Sequence, residues 1–101
     1  MSRIQPIGII REGIRVFIRI EAIEENGRVY CLIHTLSGEI RLGPKAWLRA
    51  VRDEVRKLER IAKAAGCVEI RIEGRDWSRA LRGLDFEPWP EGEGHGLRKV
   101  L

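Results

Sequence analysis

Apolar and polar positions alternate clearly from Ile14 onward. Ile14, Val16, Ile18, Ile20 and Ala22 share one face, and Arg15, Arg19 and Glu21 share the other with Phe17 and Ile23. A period of two predicts a strand over residues 14–23 whose second face is only partly wet. Ahead of it, the apolar run at 7–10 stops before Gly13 and reads as a short strand or an ordered lead-in. Asn26-Gly27 supplies two residues that tolerate positive φ, which predicts a tight hairpin. In the return strand, 28–36, Val29, Cys31 and Ile33 alternate with Tyr30, Leu32 and His34. Both sets are mostly apolar, so this strand should sit centrally. Ser37-Gly38 reads as the next turn, and 39–42 as a short third strand.

The period then changes. Gly43-Pro44 opens a helix, with Pro44 suited to its first turn. Trp47, Val51, Val55, Leu58, Ile61, Ala62 and Ala65 recur at steps of three and four and predict the buried face of a helix reaching Ala65. Arg49, Arg52, Asp53, Arg56, Glu59, Arg60 and Lys63 form the opposite, solvated face. Asp53 with Lys57 and Glu59 with Lys63 are favourable i,i+4 pairs. Gly66 fits the left-handed residue that closes a helix. Val68, Ile70 and Ile72 predict a strand parallel to an earlier one, with Glu69, Arg71 and Glu73 pairing locally on its other side. Asp76 is the expected N-cap of a short helix that carries Trp77, Ala80 and Leu81 and ends at Gly83. Residues 86–89 read as a strand cut by Pro88 and Pro90, 91–96 as a flexible loop, and 97–101 as a closing strand. The order is β-β-β-α-β-α-β-β in a single domain over 1–101. This is an α+β layout: a mostly antiparallel meander, a long helix with a right-handed crossover to a parallel strand, a short helix and C-terminal strands.

Composition narrows the classes. A chain of 101 residues, 44% hydrophobic, supports one small core and gains from a partner or self-association. The net charge of +4 is spread along the chain, and a solvated surface is its ordinary explanation, with nucleic acid or an acidic protein surface as the sharper one. Cys31 and Cys67 lie in apolar runs and read as small buried hydrophobes. His34 and His95 complete no metal-ligand spacing, so no metal is expected. No signal-peptide pattern or membrane span is seen, and a reducing cytoplasmic setting fits.

Residues 65–89 carry a resemblance. Gly66-Cys67 ends a helix, 70–75 reads Ile-Arg-Ile-Glu-Gly-Arg, Trp77 leads a short helix, and the chain closes with Leu-Arg-Lys-Val-Leu. In order and spacing these resemble the C-terminal part of a GNAT acetyltransferase-like domain, above all small GNAT-like proteins encoded by phages and prophages. The resemblance covers 14–101 and lacks the family's N-terminal β-α-α. It implies a cofactor loop of the form Gln/Arg-x-x-Gly-x-Gly/Ala at the start of the long helix, where free N–H groups face a pyrophosphate. The matching segment is Arg41-Leu42-Gly43-Pro44-Lys45-Ala46. Arg41 and Ala46 fit, Gly43 comes one residue early, and Pro44 stands where the first glycine should, without an N–H. Lys45 could still attract an anion. The general-acid Tyr of active members falls at Leu81, and their Gly-Phe pair reads Asp85-Phe86. Glu21, His34 and Glu39 are candidates for a base only by position, and His34 reads better as a half-buried strand histidine.

The leading expectation is therefore a non-catalytic, GNAT-like phage or prophage protein that acts through protein contacts. It would be a virion or assembly component, in the host cytoplasm or the virion, with no cofactor. The alternatives are a minimal N-acetyltransferase holding acetyl-CoA at Arg41, Gly43, Lys45 and Ala46, and a small basic protein that binds nucleic acid or modulates a host complex. Candidate contact residues are Arg75, Trp77 and Arg79 around the second helix, and Ile18 and Ile20 on a strand expected at an exposed sheet edge. Trp47, Trp77 and Trp89 read as core or interface anchors.

Overall fold

The computed structural model describes residues 3–11, 13–92 and 94–101, and side chains from residue 8 onward except at 11, 36, 37 and 40. Positions 1, 2 and 12 of the lead-in and 93 of the 91–96 loop lie outside the described residues. The elements are β1 (Arg3–Arg11), β2 (Ile14–Glu25), β3 (Arg28–Ile40), α1 (Pro44–Ala64), β4 (Cys67–Glu73), β5 (Glu87–Pro88) and β6 (Leu97–Val100). Among the described residues the architecture is α+β, one helix on a six-stranded sheet of order β1-β2-β3-β4-β6-β5. The sheet is mixed: β3 and β4 run parallel, and every other neighbouring pair is antiparallel.

Several local signals give the expected result. Asn26 and Gly27 have φ of 53° and 76°, the two positive values that a type I′ hairpin demands. β3 sits inside the sheet between β2 and β4. Pro44 enters the first turn of α1, and Gly66, at φ 85°, closes it while its N–H donates to the Lys63 carbonyl at 3.1 Å.

The meander differs from expectation at both ends. The lead-in is a nine-residue strand, β1, paired along its length with β2 from Arg3↔Ala22 to Arg11↔Ile14. β2 is therefore an interior strand, and the sheet edge passes to β1. Ile18 is 4% exposed and Ile20 half-buried, so neither is presented at an edge. There is no turn at Ser37-Gly38: β3 runs through to Ile40 and absorbs the expected third strand. Register slips there, from Ile18↔Thr35 to Phe17↔Ser37, which leaves Leu36 as the extra residue of a bulge. Glycine serves a close approach at this point, since a Cβ on Gly38 would lie 3.0 Å from Val16 Cγ2.

The short second helix does not form. Residues 78–85 make successive turns, with Leu81 N–H donating to the Trp77 carbonyl at 2.9 Å and Leu84 N–H to the Leu81 carbonyl at 3.1 Å. Gly83 and Asp85, at φ 80° and 67°, end the winding before it can repay nucleation. Asp76 Oδ1 accepts the Ser78 N–H at 2.9 Å, closing a local turn rather than capping a helix.

The core lies between α1 and one face of the sheet. Ile14, Val16 and Ile18 of β2, Cys31 and Ile33 of β3, and Ile70 and Ile72 of β4 meet Ala50, Val51, Val55 and Ala62 of α1. Ile61 and Ala65, expected to be buried, are exposed, Ile61 at 64%. Ile61 stands about 100° round the helix from the Val51–Val55–Ala62 line. The expected i,i+4 pairs are also replaced. Lys57 reaches Glu54 at 3.3 Å, and Glu59 is taken by Lys99 of β6 at 2.7 Å.

Candidate functional site

The turn that enters α1 is held by the Arg41 N–H, which donates to the Gly13 carbonyl at 2.7 Å. Gly43 is extended, at φ −63° and ψ 161°, and its carbonyl accepts the Trp47 N–H at 2.8 Å to start the helix. The Arg41 guanidinium lies on Glu39 Oε1 at 2.6 Å, so its charge is matched within its own turn. Lys45 and Ala46 are exposed. Arg79, expected at a separate surface, lines an open groove here with Leu42, Pro44, Trp47 and Leu48. Two exposed cations, Lys45 and Arg79, thus stand beside a helix start whose first residue, Pro44, has no N–H to offer.

Trp77 belongs to the core. It is 8% exposed and its Nε1–H donates to Thr35 Oγ1 at 2.9 Å. The Arg75 guanidinium lies 5.1 Å from the Trp77 ring centroid, and Arg75 itself is exposed. The two meet because Gly74, at φ 97°, brings the backbone against β3: a Cβ there would lie 3.0 Å from the Thr35 carbonyl oxygen. Next to this junction His34 Nδ1 lies 3.2 Å from Glu73 Oε1, and both residues are at least half-buried. Arg52, expected in solvent, donates instead to the carbonyls of Ala80 at 3.2 Å and Arg82 at 2.9 Å.

The sheet face away from α1 carries two further features. On β4, Arg71 pairs with Glu69 at 2.5 Å, as strand alternation suggested. Its guanidinium also lies 4.1 Å from the Tyr30 ring centroid and 5.2 Å from that of Trp89, with Glu25 at 3.8 Å. Sequence reasoning missed this cation–aromatic cluster. Tyr30 stands opposite Glu69 and diagonal to Arg71, a contact that follows only from the β3–β4 register, and Trp89 comes from beyond β5. At the β1–β2 end the same face exposes Ile10 at 67% and Phe17 at 41%. A Cβ on Gly8 would lie 3.2 Å from Phe17 Cε1, so the ring lies across β1.

Burial, and then the neighbouring Cys67, push the Cys31 thiol up to about 11. Cys67 is raised by burial alone. Asp76 is lowered by its hydrogen bonds from Ser78. Among the described residues no group of three or more His, Cys, Asp and Glu side chains could hold a metal ion, and no helix is long and apolar enough to cross a membrane. Comparison with protein families, curated proteins and solved structures finds no match for this chain.

Proposed function

We propose that this chain is a GNAT-like domain of the small phage or prophage type that works through protein contact rather than acetyl transfer, as a component of a larger assembly. The observation that carries the reading is the apolar patch of Ile10 and Phe17, exposed on the sheet face that α1 leaves uncovered. Large apolar side chains exposed side by side on an uncovered face offer a surface that a partner can bury. The order of a three-stranded meander, a long helix and a strand parallel to the third supports the likeness. The chemistry around the helix start speaks against acetyl transfer. Arg41 is neutralised by Glu39, Pro44 offers no N–H, and Leu81, where the likeness calls for a proton donor, is 2% exposed in the core.

The contact is through the face rather than the edge of the sheet. β1 pairs with β2 from Arg3 to Arg11 and forms the edge of the sheet. Pro6 stands within this edge strand, and proline, with no N–H, hinders strand addition there. The first occupant to test is a second copy of the chain. Sedimentation equilibrium over a concentration series should report self-association that Ile10→Ser/Phe17→Ser abolishes without altering the circular dichroism spectrum. A monomer at every concentration, together with saturable acetyl-CoA binding by calorimetry, would return the chain to the acetyltransferase reading.

A further inference from the structure

We infer that the outer face of α1 is a docking ridge for the phosphate backbone of double-stranded DNA. The ridge adjoins the Ile10–Phe17 patch at Ile10, and the inference does not rest on the protein-contact reading. α1 carries seven of the chain's 19 Lys and Arg residues and three of its 15 Asp and Glu residues. Its surplus equals the +4 of the whole chain, so the rest of the molecule is balanced. At about 100° per residue, Lys45, Arg49, Arg56, Arg60 and Lys63 fall within an arc of about 60° and extend about 27 Å along the helix axis. All five are exposed. Among the described residues no carboxylate lies within ion-pair distance of any of them. Glu54 faces Lys57 and Glu59 faces Lys99, which leaves Asp53, just outside the arc, as the exposed acid beside the ridge. Arg56 and Arg60 line two open grooves, one shared with Ile10 and Asp53, the other with Lys63 and Lys99.

The chemistry selects the occupant. A straight line of like charge matches the continuous phosphate rows of a duplex. The ridge is built of Arg and Lys, whose contacts to phosphate supply sequence-independent affinity. The one aromatic residue of α1, Trp47, is half-buried, so the ridge lacks the stacking platforms used for single strands. A helix about 10 Å across fits the roughly 12 Å major groove of B-DNA, whereas the major groove of A-form RNA is deep and narrow.

The test is fluorescence anisotropy of labelled duplex DNA with the intact protein over a salt series. With about four net charges engaged, the logarithm of the binding constant should fall against that of salt concentration with a slope of about −4. Arg56→Gln/Arg60→Gln should reduce that slope by about 2 and weaken binding about tenfold at low salt. Arg49→Gln/Lys63→Gln should do the same, while Arg75→Gln/Arg79→Gln should leave affinity within about twofold. The inference is overturned by an absence of saturable binding at low salt. Undiminished binding by either ridge variant with a wild-type circular dichroism spectrum overturns it too. So does tighter binding to single strands, duplex RNA or polyglutamate than to duplex DNA.

Discussion

At the residue scale, Cys31 links packing to pH. It is 7% exposed on the helix-facing side of β3, and its thiol is pushed from an ordinary 9.0 up to about 11. Above the unfolded thiol's value the unfolded chain releases this proton more readily than the folded one. The contribution is thus fully present below about pH 9 and is lost as pH rises toward 11. A shift of two units corresponds to about 3 kcal/mol. Thermal melts from pH 8 to 11 should therefore show an alkaline decline that Cys31→Val makes shallower; equal slopes in the two proteins would contradict this assignment. The apolar run around Cys31 was enough to predict its burial. The second cause, the proximity of Cys67, was not legible, because it follows from the parallel pairing of β3 and β4.

At the element scale, α1 and the turns at 78–85 are joined by Arg52. Periodicity assigned this residue to the solvated face, since nothing local distinguishes it from Arg49 or Arg56. Its partners are backbone carbonyls about 30 residues on in the chain. Loss of two hydrogen bonds from a charged donor costs roughly 2 kcal/mol. Arg52→Ala should lower stability by about that amount and speed amide hydrogen exchange within 78–85, while Arg49→Ala should change neither. Equal effects of the two substitutions would argue that Arg52 does not pin the turns. The same segment explains why a short helix was expected and successive turns were found. The Asp76–Ser78 hydrogen bond and the apolar spacing are present, but Gly83 and Asp85 at positive φ stop the winding within two turns, and packing of Trp77, Ala80 and Leu81 into the core stabilises the segment instead.

At the scale of the molecule, the sheet is asymmetric: α1 covers one face, and β1 closes the edge beside β2. Removing residues 1–11 would expose β2, whose helix-facing Ile14, Val16 and Ile18 are each no more than 5% exposed. An open edge lined by such residues recruits other chains. The truncated protein should aggregate or fail to fold, as read by size-exclusion chromatography and circular dichroism. A monomeric truncated chain with wild-type helicity and sheet content would mean that β1 is dispensable. The charge asymmetry belongs to this scale as well, because the surplus that seemed spread along the sequence sits on one helix and, once wound, on one stripe of it.

The sequence by itself determined the features that depend on a few adjacent residues. These are the Asn26-Gly27 hairpin, the Pro44 start and Gly66 stop of α1, and the alternation that places Ile70 and Ile72 on one face of β4 with Glu69 and Arg71 on the other. Each rests on φ preference or side-chain period, which neighbouring residues fix. Tertiary structure alone decided that the lead-in becomes a full edge strand, that β3 runs through Ser37-Gly38 by a bulge, and that Ile18 and Ile20 lie inside rather than at an edge. It also decided that Arg79 reaches the helix start, that Trp77 bonds Thr35, and that Arg71 meets both Tyr30 and Trp89. These features depend on which distant segments lie side by side. Strand pairing, bulge position and cation–aromatic contact are settled by burying one shared apolar face, a condition that no local window of the chain contains.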